Sequence, residues 1–164
     1  WIWEHQALTR ARFCAGDTKT GERFKQVRLN ILRQKRDPAS LKQAIRDMRH
    51  KMHDGHHNPT PLFDIKHDDG GMVDIEFMVQ FLVLAHAAQH AELTANRGNL
   101  ALLEIASKLG LIEIELSGSV RQLYRELRRL QHQMRLNNQI PCRIGHGRLD
   151  TSPARTLWKL LLED

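Results

Sequence analysis

The chain has 164 residues, 41% hydrophobic, 27% charged and only 5% aromatic, with 25 basic against 19 acidic side chains, a net charge of +6 and two cysteines. That composition excludes low-complexity, collagenous and disulfide-stapled classes and fits one ordinary domain, which at this size buries roughly 70% of its unfolded surface without a metal or disulfide. The charge predicts solubility and a mild attraction to anions; it permits nucleic acid without implying it.

The chain opens at Trp1 and its methionines are Met48, Met52, Met72, Met78 and Met134, so the expectation is a processed product or an excised piece. Trp1-Ile2-Trp3-Glu4-His5 has no basic leader or apolar region of a signal peptide. The longest nearly apolar stretch, Phe77 to Ala88, is interrupted by Gln80 and His86 and falls short of the ~20 residues a membrane span needs. A cytoplasmic setting with no membrane contact is expected, with Cys14 and Cys142 as free thiols.

Apolar residues recur at three-and-four spacing along the chain, which predicts an all-α fold, a bundle of about six or seven mainly antiparallel helices forming a single domain over 1–164. The first helix is expected from Trp1 to Ala15, with Trp3, Ala7, Ala11 and Cys14 on one face and Gly16-Asp17 as its stop. Phe24, Val27 and Ile31 mark a second, ending near Lys35-Arg36. Asp37-Pro38 is a start signal for a third, whose buried stripe is Leu41, Ile45, Met48 and Met52, with Lys42, Arg46, Arg49 and His53 on a polar stripe opposite. Gly55 to Asp69 holds two prolines and reads as loop, with Leu62, Phe63 and Ile65 giving it an apolar anchor, a short extended piece. Gly70-Gly71 opens the fourth and most apolar helix, Met72 to about His90. Asn99 to Leu109 is a fifth. The sixth, about Glu113 to Asn137, carries a seam of Leu116, Val120, Leu123, Leu127, Leu130 and Met134. A loop with Pro141, Gly145 and Gly147 leads to a last helix, Ser152 or Pro153 to Leu162.

Four features invite a chemical reading. His50, His53, His56 and His57 suggest a metal site, but the alignment needs a helix continuing past Gly55 and no cysteine joins them. Asp74 and Glu76 form a carboxylate pair, yet residues two apart on a helix diverge by about 200° and cannot chelate one ion. Glu76 and Gln80 do share a face, and when buried must find partners. Lys66 to Gly71 places a basic residue, acids and two glycines before a helix N-terminus, where amides can hold phosphate, although the spacing is not that of a Walker loop. Arg121, Arg125, Arg128, His132 and Arg135 form a helical stripe that is either a solvated face or a contact for an anionic partner. Ser117, Ser119 and the cysteines lack any signature of a nucleophile with its base.

Several fragments occur in a fixed order: Trp3-Glu4-His5-Gln6-Ala7-Leu8-Thr9-Arg10-Ala11-Arg12, Ala15-Gly16-Asp17, Met48-Arg49-x-Lys51-Met52, Phe63-Asp64-Ile65-Lys66, and Gly70-Gly71-x-x-Asp74-Ile75-Glu76-Phe77-x-x-Gln80. Together they resemble the helical domain behind a nucleotidyltransferase domain in the bifunctional glutamine synthetase adenylyltransferase family, and more the copy behind the C-terminal, adenylylating domain. Asp164 would then lie near the end of the whole enzyme. The resemblance implies an enzyme that uses ATP and Mg2+ to transfer AMP to a tyrosine of glutamine synthetase, and removes it again, under control of the PII signal protein and glutamine. Its catalytic domains carry a Gly-Ser and an Asp-x-Asp; here Gly118-Ser119 is the only Gly-Ser and no Asp-x-Asp follows it. The catalytic half is therefore expected upstream of Trp1, and this fragment, which by itself holds no catalytic residue, metal or cofactor, is expected to be inactive alone.

By the same resemblance Lys66, Gly70, Gly71, Asp74 and Glu76, with Arg49 and Lys51, are expected to face the catalytic domain, positioning nucleotide or packing between domains. Ala101, His53 and the His56-His57 loop depart from the family pattern. The helical domain of PII-uridylyltransferases is the alternative within this class. A basic nucleic-acid-binding module and a histidine-based metal hydrolase are the alternatives outside it.

Overall fold

In the computed structural model, which describes residues 1–163, seven α-helices pack together with almost no sheet; Asp164 lies outside the described residues. The first helix, α1 (Ile2–Leu8), is shorter than its apolar spacing predicts, and the cause is a side chain from the next one. Arg28 of α2 (Thr18–Leu32) is buried and donates to the carbonyls of Leu8 (2.8 Å), Thr9 (3.0 Å) and Thr94 (2.9 Å). Thr9 Oγ1 donates to Gln6 O (2.7 Å), so the last carbonyls of α1 are taken and the chain turns away. Of Trp3, Ala7, Ala11 and Cys14, expected to share a face, Ala11 is partly buried and the other three are exposed, and Gln6 is the buried residue of α1.

Asp17 accepts the Thr20 amide (2.7 Å) and starts α2 well before Phe24. Val27 is 55% exposed; the phase that faces inward is Gly21, Arg28 and Leu32. The third helix, α3 (Pro38–Gly55), begins as its sequence predicts, with Asp37 accepting from Ser40 N (2.8 Å) and Oγ (2.6 Å). Leu41 and Ile45 are buried and Met48 and Met52 partly so. Arg49, assigned to the polar stripe, is instead buried one turn beyond Ile45, in line with Leu41 and Ile45.

Helix α4 (Met72–His86) is the central element: only Glu76, Gln80, Ala85 and His86 of its residues are even partly exposed. It ends before His90 and passes into a 3-10 turn, Ala91–Thr94. Helix α5 (Asn99–Lys108) packs on α6 (Ile114–Leu136), whose seam faces the core as expected: Val120, Leu123, Leu127 and Leu130 are buried, Leu116 and Met134 partly so. The last helix, α7 (Ser152–Trp158), runs into a π-helical turn, Lys159–Glu163, and covers α4 and α6. Strands β1 (Phe63–Asp64) and β2 (Arg143–Ile144) pair antiparallel, Phe63 opposite Ile144. The extended piece expected at Phe63 is present; its partner is a pairing that no local pattern announces.

Replacing Arg28 by alanine leaves three buried carbonyls without their donor and is expected to cost about 2–4 kcal/mol in urea unfolding, with amide exchange accelerated first in residues 2–9. His5, His67 and His86 are all held below the ordinary histidine value of 6.5 by burial, helped respectively by Arg36, His56 and His90. Their folded pKa values are depressed, so the unfolded chain binds more protons below pH 6.5. Stability from this source is complete above pH 6.5 and is lost as pH falls through the folded values, which a melting-temperature series from pH 7.5 to 5 should show.

Candidate functional site

The loop between α3 and α4 is organised by two aspartates. Asp64 Oδ1 accepts the amides of Lys66 and His67 (both 3.0 Å), and Asp68 Oδ2 accepts from Asp64 N (2.8 Å) and Asn58 Nδ2 (2.9 Å). The loop then folds over the start of α4. Gly71 N donates to Asp68 O (2.9 Å), Met72 N to Ile65 O (3.0 Å) and Val73 N to Lys66 O (3.1 Å). Those helix-start amides, the natural donors to a phosphate, are thus occupied by the loop's own carbonyls.

Asp74 and Arg49 meet inside this frame. Arg49 Nε donates to Asp74 Oδ1, Gly70 N donates to Asp74 Oδ2 (2.6 Å), and Arg49 Nη2 donates to His67 O (2.8 Å) and lies 3.5 Å from Asp69 Oδ1. Asp74 and Arg49 are 5% and 6% exposed, so this is a buried, hydrogen-bonded ion pair joining α3 to α4. Burial pushes the Asp74 carboxyl up, opposed by Arg49 and the Gly70 amide. The two glycines are required by space. Gly70 has φ +85°, and a Cβ there would sit 2.9 Å from Thr151 Cβ; one on Gly71 would sit 2.7 Å from Asp68 O.

Beside the clamp lies a groove of about 740 Å³, walled by Arg49, Gly70 and Asp74 and rimmed by Arg46, His53, Arg155 and Lys159. Besides Asp74, the acids on its wall are Asp47, Asp69 and Glu163, and Arg155 Nε donates to Asp69 O (3.3 Å). Arg155 and Lys159 were not identified from the sequence, because nothing local relates α7 to α3. Of the sequence candidates, Arg49, Gly70, Gly71 and Asp74 come together. Lys66 and Lys51 are exposed at the surface of the loop and of α3, and neither belongs to the clamp.

Glu76 faces elsewhere. Its Oε1 accepts from Tyr124 Oη (2.8 Å), which accepts from Asn99 Nδ2 (2.8 Å), whose Oδ1 accepts from Arg10 Nη1 (3.1 Å). One turn on, Gln80 Oε1 accepts from Gln6 Nε2 (2.8 Å). Glu76 and Gln80 are therefore paired core polar groups, as their shared face requires.

No group of three His, Cys, Asp or Glu among the described residues is placed to hold a metal ion. Both Asp74 oxygens already accept hydrogen bonds, so the donor set at the clamp does not fit Mg2+. His50 and His53 lie on α3, and His56 stacks on His67 with centroids 4.0 Å apart. On α6, Arg121 pairs with Glu104 (2.7 Å), while Arg125, Arg128, His132 and Arg135 are exposed.

A family model described as GlnD PII-uridylyltransferase matches residues 39–141, more than half of the chain. Among curated relatives, bifunctional glutamine synthetase adenylyltransferase/adenylyl-removing enzymes are 56% identical over 84% of this chain in Nitrosomonas eutropha, 49% over 100% in Bordetella bronchiseptica and 53% over 97% in Ralstonia nicotianae. The chain spans only 15% to 18% of the length of these relatives. Both names raised by the sequence motifs thus recur, one on the domain model and one on the relatives. No helix among the described residues is long and apolar enough to cross a membrane. The chain belongs to the GlnD PII-uridylyltransferase domain family, as a region of the kind found in bifunctional glutamine synthetase adenylyltransferase/adenylyl-removing enzymes.

Proposed function

We propose that this chain is the non-catalytic helical module of a glutamine synthetase adenylyltransferase, supporting transfer of AMP from ATP to a tyrosine of glutamine synthetase in the cytoplasm. The observation that carries this reading is the clamp itself. The motif's buried acid, Asp74, accepts on both oxygens, from Arg49 and Gly70, and the cations Arg46, Arg155 and Lys159 line a groove beside it with no ion-paired carboxylate among the described residues. A committed acid does not take part in metal-assisted transfer; a rigid wall with a cationic rim can position a neighbouring domain and the anionic nucleotide that domain holds. ATP and Mg2+ would be bound by the nucleotidyltransferase domain upstream in the same chain, and the PII signal protein would act on the whole enzyme. The name of the matching domain model favours a second reading, in which the same module backs a PII-uridylyltransferase. The identities of 49% to 56% to adenylyltransferases favour the first.

Three outcomes are expected. In the enzyme with its catalytic domains, the pair Arg155→Ala and Lys159→Ala lowers AMP transfer about tenfold with an unchanged melting temperature; undiminished transfer leaves only a packing role for the groove, and Lys66→Ala applies the same test to the loop lysine. The 164-residue chain alone, given ATP, Mg2+ and glutamine synthetase, transfers no AMP, and any transfer overturns the non-catalytic reading. Asp74→Asn, which strands Arg49 in the interior, costs about 3–5 kcal/mol in chemical unfolding, whereas the double replacement Arg49→Met with Asp74→Leu costs less.

A further inference from the structure

A second cavity, of about 720 Å³, opens between the segment after α1, α2 and the 3-10 turn. That volume is ordinary for a small-molecule site. Its apolar wall includes Phe13, Phe24 and Leu29, and the Phe13 ring lies so close over Gly21 that a Cβ there would meet it at 2.8 Å. Its charged wall is one-sided: Arg12, Lys25, Arg28 and Arg33 against the single carboxylate of Glu22.

Arg28 gives this imbalance its weight. It is 5% exposed, and the partners of its guanidinium are the three neutral carbonyls of Leu8, Thr9 and Thr94. Among the described residues no carboxylate lies within ion-pair distance of Arg28, nor of Arg12, Lys25 or Arg33. Carbonyl dipoles satisfy hydrogen bonds without cancelling charge, and each terminal guanidinium nitrogen keeps a second N–H. A buried cation without a counter-ion, on the wall of a cavity bounded by low-dielectric side chains, focuses positive potential into that space. The contrast with Arg49 is direct, since that buried guanidinium has its carboxylate.

We propose that this cavity binds a small organic anion with a flat apolar body, the acidic group set among Arg28, Arg12 and Arg33 and the body against Phe13, Phe24 and Leu29. The probe is 8-anilinonaphthalene-1-sulfonate, compared with N-phenyl-1-naphthylamine, the same body without its sulfonate. Titrated at low salt into the native chain, the sulfonate is expected to saturate one site at least about tenfold more tightly than the amine. Arg12→Gln with Arg33→Gln, both on exposed positions that leave the Arg28 contacts intact, weakens the sulfonate about tenfold and leaves the amine unchanged, and Lys25→Gln acts in the same direction. Arg125→Gln with Arg128→Gln removes equal charge from α6 and leaves both affinities unchanged. Equal affinity for the two probes, no saturable site, no loss in the cavity variants, or an equal loss in the α6 variant overturns the assignment.

Discussion

The contact on which most of this architecture depends is the ion pair between Arg49 and Asp74. Removing two charges from water costs several kcal/mol each, and their attraction repays that cost only when the remaining donors and acceptors are also used. Here they are. Asp74 takes one hydrogen bond from Arg49 and one from Gly70, and Arg49 spends a further N–H on His67 O. The pair therefore fixes three things at once: the separation of α3 and α4, the left-handed turn at Gly70, and the path of the loop whose carbonyls cap α4. A hydrophobic pair of similar volume would hold two helices together without dictating any of the backbone around them.

The same device recurs with a different balance. Arg28 and Arg36 also bind main-chain carbonyls, Arg36 reaching Ile31 O (2.6 Å), Leu32 O (3.2 Å) and Leu84 O (3.1 Å). Guanidinium groups suit this work because their five N–H groups fan out in a plane and can satisfy several carbonyls where helices end. Part of the chain's basic excess is therefore structural cement. The +6 charge, read from the sequence as a hint of anionic partners, is partly internal, and the cations placed to meet a partner include those along the clamp's groove, in the α2 cavity and on α6.

How much of this was legible beforehand follows from how local each signal is. Asp37-Pro38 and the seam of α6 are short-range patterns, and both appear as read. The clamp was half legible: motif order singled out Arg49, Gly70, Gly71 and Asp74, but assigning Arg49 to a solvent stripe treated charge as a sufficient reason for exposure. The phase said otherwise, since Leu41, Ile45 and Arg49 recur at intervals of four. An arginine in register with an apolar stripe is the signal that would have found both Arg49 and Arg28. The early end of α1, the β1–β2 pairing and the approach of Arg155 to Asp69 depend on residues 20 or more positions away, and no window of sequence contains them.

Helix α1 shows what these long-range contacts accomplish. Seven residues are too few for a stable isolated helix, so its orientation must come from what it touches. Gln6 is bonded to Gln80, His5 lies 3.4 Å from Arg36, and the exit at Leu8 and Thr9 is held by Arg28. Two residues on, Arg10 begins the chain through Asn99 and Tyr124 to Glu76. Every one of these partners sits on α2, α4, α5 or α6, or directly after α2. The opening segment is thus locked to the central helix by side chains rather than by its own propensity, and the lock and the clamp share α4. Glu76 and Gln80 face the opening segment while Asp74, half a turn earlier, faces α3. One rigid helix, whose neighbouring polar residues point to opposite sides, is how a bundle can hold two surfaces in a fixed relation.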